Sequence, residues 1–217
     1  MQRTPGALFV VLEGGDGAGK STQAARLATH LQERGREVVR TREPGGTPIG
    51  EKLRSLVLDH GHGEVDARTE ALLFAAARAA HVEQLILPAL ARGATVICDR
   101  YIDSSVAYQG IGRGLGTEQV LAVNRWATGG LRPDLTILLD VDPRAGRDRR
   151  TQGDATEDRL ESEPDSFHAR IRQAFLDRAG NDDGAYLVLD ASLAVEDLAG
   201  QICAAVDALG HPEGSTP

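Results

Sequence analysis

The stretch GGDGAGKST, from Gly14 to Thr22, combines glycine, lysine and hydroxyl residues at the spacing G-x-x-x-x-G-K-[ST]. An apolar run precedes it and a segment with helical periodicity follows, which is the context in which this spacing binds phosphate. Glycines let backbone N–H groups approach a phosphate chain, Lys20 can reach its β and γ phosphates, and the Ser21 hydroxyl can ligate Mg²⁺. The alternative is a glycine-rich turn that binds nothing. The residues expected to hold the donor phosphates are Gly14, Gly15, Asp16, Gly17, Ala18, Gly19, Lys20, Ser21 and Thr22.

Two further polar segments follow apolar runs, REPGGTP after the second and DRYIDSSVAYQG after the third. Ligands of open parallel sheets gather at the carboxyl ends of strands, so both segments belong where a ligand would lie. Asp99, at the end of the third run, is either a partner for Mg²⁺ or a cap for the next helix. An N-K-x-D segment, with which GTP-binding switches read guanine, does not occur.

The elements that must position these residues form an alternating β/α chain. Five runs rich in Val, Ile and Leu predict strands at Ala7–Glu13, Glu37–Thr41, Ala94–Asp99, Leu135–Asp140 and Ala185–Asp190. Helices are predicted at Gly19–Arg34, Thr47–Asp59, Ala67–Arg92 with an interruption at Pro88, Thr117–Ala127, Arg144–Arg150, Ser166–Ala179 and Val195–Leu209. Parallel neighbours need crossover connections, so we expect one five-stranded parallel sheet between two layers of helices, an α/β fold.

The chain has 217 residues and a formal net charge of −8, with only 4% aromatic residues. We expect one domain over residues 1–210, a core of Ala, Leu and Val, and a disordered tail at 211–217. The acidic balance argues against binding nucleic acid, and no apolar run is long enough to span a membrane. We therefore expect a soluble, cytoplasmic protein whose start lacks a signal peptide.

Two segments interrupt the alternating pattern. They are the glycine-rich YQGIGRGLG, Tyr108–Gly116, and the highly charged Arg147–Glu163, which we expect to be a mobile lid. Two cysteines, Cys98 and Cys203, lack any C-x-x-C spacing and are interpreted as small buried side chains. The pair His60 and His62 has no third ligand at a suitable spacing, which favours a solvated linker over a metal site.

Five blocks of this sequence, taken in order, resemble the bacterial thymidylate kinase family. They are EGGDGAGKSTQ, TREPGGTPIGEKLR, TEALLFAAARAAHV, DRYIDSSVAYQG and RPDLTILLDV. The resemblance implies a three-layer α/β/α P-loop NTPase fold with strand order 2-3-1-4-5 and a mobile lid at about 147–163. It implies transfer of a phosphoryl group from ATP to dTMP with Mg²⁺, and a homodimer.

The resemblance also assigns roles to side chains on the acceptor side. Arg100 and Arg54 match arginines that face the acceptor phosphate, although Arg54 alone reads as a solvated helix residue. Phe74 and Arg78 match thymine contacts, although Phe74 alone reads as a core aromatic. Tyr108 matches the tyrosine that disfavours a 2′-hydroxyl. The other matching substrate positions are Glu43, Pro44, Ser104, Ser105 and Gln109.

A carboxylate inside the phosphate loop, Asp16, needs a partner because the phosphates repel it. The resemblance places it near the acceptor hydroxyl and the metal shell. Gly17 stands where some relatives carry a catalytic arginine, so the cation is expected from the lid. The lid arginines are Arg147, Arg149, Arg150 and Arg159, of which Arg149 and Arg159 are the first candidates, and a merely solvated charged surface is the alternative.

Two other functions remain open on the sequence alone. One is a kinase for another small nucleotide or a metabolite hydroxyl. The other is a regulatory nucleotide-binding module that hydrolyses slowly, which would not need the acceptor-side arginines Arg54, Arg78 and Arg100.

Overall fold

A computed structural model describes residues 3–151, 157–181 and 184–210. Five parallel strands form one sheet in the order β2-β3-β1-β4-β5. Their bounds are β1 Phe9–Glu13, β2 Val38–Arg42, β3 Thr95–Asp99, β4 Leu135–Asp140 and β5 Tyr186–Asp190. The predicted sheet, its strand order and the P-loop NTPase fold class are confirmed.

Helices connect every pair of consecutive strands. They are α1 Lys20–Glu33, α2 Pro48–Leu58, α3 Ala67–His81, α4 Leu87–Ala91, α5 Ile102–Ser105, α6 Thr117–Thr128, α7 Pro143–Thr151, α8 Asp165–Asn181 and α9 Val195–Gly210. A π-helical turn, Val82–Ile86, joins α3 to α4. Pro88 lies in the first turn of α4, where its missing N–H is tolerated, so the predicted interruption is a change of helix type.

The segment Tyr108–Gly116 is more regular than its glycine content indicates. Helix α5 continues directly into a second π-helical turn, Val106–Gly112, and the prediction of an interruption is wrong for residues 108–112. A Cβ on Gly112 would lie 2.7 Å from the Phe167 ring of α8. Close packing against α8 therefore requires glycine and overrides its low helix propensity.

The core lies on both faces of the sheet. Val10 and Leu12 of β1 pack in the cluster that includes residues of α1 and α9, whereas Phe9 and Val11 pack on the opposite face with Leu90 of α4. Each such fully buried side chain stabilises the fold by roughly 1.5–3 kcal/mol. The two packed faces fix β1 and β3 side by side, with Leu12 paired to Asp99, so that both strands deliver their next residues to one edge.

Several smaller expectations can be compared with the described residues. Cys98 and Cys203 are both free thiols; Cys98 is buried as predicted, whereas Cys203 is only half-buried. None of the helices in the described ranges combines the length and apolar character that a bilayer span requires. The expected disordered tail at 211–217 and residues 152–156 of the expected lid lie outside the described residues.

Candidate active site

The phosphate loop connects β1 to α1 through three glycines whose backbone conformations other residues rarely adopt. Gly14, Gly17 and Gly19 have φ values of 133°, 76° and 91°. A Cβ on Gly14 would lie 2.3 Å from the Leu139 carbonyl oxygen, and one on Gly17 would lie 2.0 Å from that of Gly146. The loop lines a cavity of about 740 Å³. The local backbone thus requires the glycines that the motif predicted.

Lys20, the first residue of α1, lies folded back on this loop. Its Nζ donates to the carbonyl oxygens of Gly14 at 3.0 Å and Gly15 at 2.8 Å. Burial, and next the charge of Arg100, lower the pKa of the Lys20 ammonium. The ammonium is therefore held at the cavity floor by weak neutral acceptors that a phosphate chain could replace.

A hydroxyl and a carboxylate meet beside the loop. The Ser21 Oγ donates to Asp99 Oδ2 at 3.1 Å, and both residues line the cavity. Asp99 does not cap α5, whose N-cap residue Tyr101 has no side-chain capping bond, so the capping alternative is wrong. The pair offers two oxygen atoms of the kind that Mg²⁺ prefers.

Asp16 has the partners that its position demands. Its carboxylate accepts from the Arg100 guanidinium and, at 3.0 Å, from the Tyr108 hydroxyl. Burial opposes ionisation, but the charges of Arg100 and Lys20 outweigh it and hold the pKa of Asp16 well below its usual range. Arg100 also donates to Ser104 Oγ at 3.1 Å. One ion pair thus joins the phosphate loop to the turn after β3.

Glu13, the last residue of β1, supports that turn, although neither the motif nor the resemblance assigned it a role. It is 1% exposed and accepts the backbone N–H groups of Tyr101 at 2.8 Å and Ser104 at 3.1 Å, and the Ser104 hydroxyl at 2.6 Å. These bonds stabilise the turn in which Arg100 has a φ of 70°, a backbone conformation that residues other than glycine rarely adopt. Burial, and next the charge of Asp103, raise the pKa of Glu13 to about 7. An acid ending an otherwise apolar strand was the available signal.

A second cavity, of about 120 Å³, adjoins the first. It contains all ten residues expected to bind the acceptor, which are Glu43, Pro44, Arg54, Phe74, Arg78, Arg100, Ser104, Ser105, Tyr108 and Gln109. Asp16, Arg54, Arg100 and Glu161 are among the residues that line both cavities. The fold therefore brings the loop and the acceptor-side residues together around a shared boundary.

Arg78 is the most heavily bonded side chain of the second cavity. It is 2% exposed and donates to Glu43 at 2.6 Å, Ser105 at 3.0 Å, the Tyr101 carbonyl oxygen at 2.9 Å and Asn124. Such a network fixes the guanidinium plane before any ligand arrives.

Glu43 lies between Arg78 and a histidine that carried no predicted role. His81 Nδ1 lies 2.9 Å from Glu43 and Nε2 lies 2.7 Å from the Thr41 hydroxyl. Glu43, His81 and Cys98 place potential metal-ligating atoms within 4.8 Å of one another. Each of them already has a protein partner, the Cys98 thiol bonding the Arg100 carbonyl oxygen at 3.1 Å. The cluster therefore positions Glu43.

For Arg54 and Phe74 the sequence allowed both a structural role and a role in binding the acceptor, and the structure is compared with both. Arg54 is half-buried on α2, donates to the Pro44 carbonyl oxygen at 3.1 Å and lines both cavities, so it is not simply a solvated helix residue. Phe74 belongs to a core cluster with Tyr108 and also lines the acceptor cavity.

The lid arginines separate into two groups. Arg149 Nη1 donates to the Ala191 carbonyl oxygen at 3.0 Å and lines the donor cavity, as does Arg150, which pairs with Glu157. Arg147 pairs with Asp165. Arg159 is not among the lining residues of either cavity within the described ranges.

Arg159 contacts the buried Glu70 and the Val57 carbonyl oxygen. The structure thus brings Arg149 to the phosphate side and leaves Arg159 near α2 and α3.

Comparisons with known proteins agree with this geometry. The family model described as thymidylate kinase matches residues 12–202. A thymidylate kinase of Clavibacter michiganensis subsp. michiganensis (strain NCPPB 382) is 52% identical over 202 residues, 93% of this chain and 95% of the relative. The thymidylate kinase of Leifsonia xyli subsp. xyli (strain CTCB07) is 53% identical over 200 residues, 92% and 94% of the two chains. That of Deinococcus radiodurans is 48% identical over 204 residues, 94% and 98%. The chain belongs to the thymidylate kinase family.

Proposed function

We propose that this protein transfers the γ-phosphoryl group of ATP to dTMP, giving ADP and dTDP. One observation carries the proposal: a phosphate-binding loop and a second cavity with an aromatic ring and three arginines share a boundary at Asp16 and Arg100. A regulatory module that only hydrolyses a nucleotide has no use for the second cavity. Family membership and relatives at about half identity support the same activity.

The chain's residues divide the work of phosphoryl transfer. Loop amides and Lys20 hold the donor phosphates, while Arg100 and Arg54 hold the acceptor phosphate across the boundary. Transfer requires alignment of the two groups and neutralisation of their charge more than covalent chemistry. The Asp16 carboxylate holds Arg100 in place, and Arg149 supplies a further cation from the lid.

The pair Ser21 and Asp99 would hold Mg²⁺, because a hydroxyl oxygen and a carboxylate oxygen 3.1 Å apart fit its preference for hard ligands. When bound, the ion neutralises part of the charge on the donor phosphates.

On the acceptor side, Phe74 would contact the base and Arg78 would donate to a base carbonyl. Ser104 and Ser105 would line the base and ribose. The buried Tyr108, whose hydroxyl is bonded to Asp16, would crowd the sugar where a 2′-hydroxyl would lie. These assignments predict a preference for deoxyribonucleotides.

We also propose that the protein is a homodimer that acts in the cytoplasm. Leu72 of α3 is 60% exposed and Trp126 of α6 is 88% exposed, and large apolar side chains at such exposure commonly mark protein interfaces. Light scattering of the purified chain would test this proposal: a twofold mass supports it, and a monomeric mass over the working concentration range contradicts it.

The activity itself is tested by coupled ADP release with dTMP, dUMP, dCMP and AMP, with products separated by chromatography. The expected result is fastest turnover with dTMP and equal amounts of ADP and dTDP. ADP release that does not depend on the acceptor would favour a regulatory hydrolase, and faster turnover of AMP would favour another nucleotide kinase.

A further inference from the structure

Glu70, in the first turn of α3, is a fully buried carboxylate to which no motif assigns a role. It accepts hydrogen bonds from the side-chain amide of Gln109 at 2.9 Å and from the guanidinium groups of Arg113 and Arg159. A buried carboxylate is tolerated only with such donors, because its oxygens lose their water. Two cations and one amide therefore converge on a single buried anion.

The contact with Glu70 fixes the orientation of the Gln109 amide. An ionised carboxylate can only accept hydrogen bonds, so it must face the NH₂ group of the amide. Turning the amide by 180° would bring two oxygens together and lose the bond. Nε2 of Gln109 is therefore held toward Glu70, and Oε1 lies on the other side.

Oε1 of Gln109 is left for a ligand. The residue is 1% exposed and lines the acceptor cavity. Within the described residues its side chain makes the single bond to Glu70, and Oε1 is not one of the fully buried atoms that lack a partner. A carbonyl oxygen in so enclosed a place favours a donor from the ligand.

Arg78, on the same cavity wall, presents the opposite polarity. A guanidinium group has five N–H donors. Four are used by protein groups, namely Glu43, Ser105, Asn124 and the Tyr101 carbonyl oxygen. Within the described residues one N–H of Nη2 remains. The wall thus offers a free donor from Arg78 and a free acceptor from Gln109.

We propose that Glu70 is a positioning residue that makes the acceptor site selective for a base with a ring N–H next to a carbonyl group. Thymine and uracil have this edge, so Gln109 accepts from the ring N–H while Arg78 donates to the carbonyl. Cytosine has a ring acceptor and an amino donor at this edge. The ring acceptor would face the Gln109 oxygen, the amino donor would face the Arg78 N–H, and neither pair can form a hydrogen bond. The proposal rests on the function proposed above and specifies how its base is chosen.

The test uses Glu70→Gln, which keeps the size of the side chain but can face Gln109 with either its oxygen or its NH₂ group. The Gln109 amide is then free to turn. We compare kcat/KM for dUMP and dCMP, which both lack the methyl group and differ only at the edge in question. The dUMP to dCMP ratio should fall by at least about fivefold, the size of one lost hydrogen bond. If dCMP turnover is too slow to measure, the ratio of dissociation constants replaces it.

An internal control separates positioning from general damage. The ratio of kcat/KM for dTMP to that for dUMP depends on the base methyl group, which Gln109 does not contact in this proposal. It should stay within about twofold of wild type. Glu163→Gln is the matched control variant, because Glu163 pairs with Arg113 but not with Gln109. In that variant both ratios should stay within about twofold of wild type.

The ratio of the kcat/KM values of two substrates does not depend on the fraction of active enzyme. A partly folded preparation therefore still gives a valid selectivity. If Glu70→Gln cannot be recovered, Glu70→Asp keeps the negative charge but shortens the side chain by one CH₂ group, which moves the carboxylate away from Gln109, and the same fall is expected. An unchanged dUMP to dCMP ratio in the Glu70 variant, or an equal fall in Glu163→Gln, would overturn the proposal. A wild-type protein that fails to phosphorylate dTMP would instead overturn the proposed function.

Discussion

The donor and acceptor cavities lie side by side but are built in different ways. The donor cavity takes its largest single contribution from one continuous stretch, residues 16–23, whose backbone forms the phosphate loop. The acceptor cavity is formed by side chains from the turns after β2 and β3, from α2 and α3, and from the π-helical turn Val106–Gly112. A main-chain site depends on the shape of one loop, whereas a side-chain site depends on charges brought from distant parts of the chain. The two cavities should therefore fail in different ways.

The largest expected effect comes from adding one carbon atom to the main-chain site. Gly17→Ala places a Cβ 2.0 Å from the Gly146 carbonyl oxygen of α7, so the loop must move and its amides no longer converge. We expect kcat/KM for ATP to fall by at least about a hundredfold, as when a preorganised donor is lost. Steady-state kinetics at saturating dTMP measure the effect.

Gly130→Ala is the matched control for that prediction. Gly130 has a φ of 80°, close to that of Gly17, but no atom lies within 4 Å of the added Cβ. It should cost about 1 kcal/mol of unfolding free energy and leave activity unchanged. Equal losses of activity in both variants would show that backbone strain, not loop shape, explains the effect.

Arg100→Lys breaks the side-chain site instead. Lysine keeps the charge but cannot bond Asp16, Ser104 and the Gly14 carbonyl oxygen together. We expect kcat/KM for dTMP to fall by about a hundredfold, within the range for a buried charge contact. The dissociation constant of an ATP analogue should change much less. Arg40→Lys, on the exposed side of β2, is the control, and a selective loss of ATP affinity in Arg100→Lys would reverse our division of the two sites.

Arg149→Ala sharpens the comparison on the donor side, because Arg149 lines the donor cavity alone. An interaction made mainly in the transition state lowers kcat with little change in KM, so we expect kcat to fall by about tenfold and the KM for dTMP to stay nearly constant. Arg144→Ala, on the same helix, should leave both constants unchanged. A normal kcat in Arg149→Ala would remove Arg149 from the mechanism.

The smallest expected effect concerns Glu13 and pH. Its pKa is raised from 4.5 to about 7, so the folded state holds this proton more tightly than the unfolded chain does. Its contribution to stability is therefore present at low pH and lost as the pH rises through about 7. Glutamine does not titrate, so the stability of Glu13→Gln should rise relative to wild type between pH values of about 5 and 8. Denaturant titrations measure this difference, and one that stays constant with pH would contradict the raised pKa.

The same contrast explains what could be predicted from sequence. The spacing from Gly14 to Ser21 is local, so the loop and its glycines follow from the sequence alone, as do the five strands and their alternation with helices. The acceptor residues were placed by resemblance, since Phe74 and Arg54 read alone as core and surface. Glu13, Glu70 and His81 were missed because each acts on partners far along the chain, as when Glu13 bonds Ser104, 91 residues away.

The lid arginines show the same limit of prediction from local sequence. Arg149 and Arg159 are alike in sequence terms, yet Arg149 lines the donor cavity and Arg159 pairs with Glu70. Only the packing of the segment after α7 against α2 and α3 distinguishes the two arginines, and no local pattern encodes that packing.

A crystal structure of the protein with a non-hydrolysable ATP analogue and dTMP would test the division of the two cavities most directly. Our account predicts the analogue's phosphates on the amides of Gly14–Thr22 and on Lys20, with dTMP in the second cavity, its phosphate at Arg100 and its base beside Phe74 and Gln109. A second cavity that stays filled by protein side chains, or dTMP bound elsewhere, would contradict it.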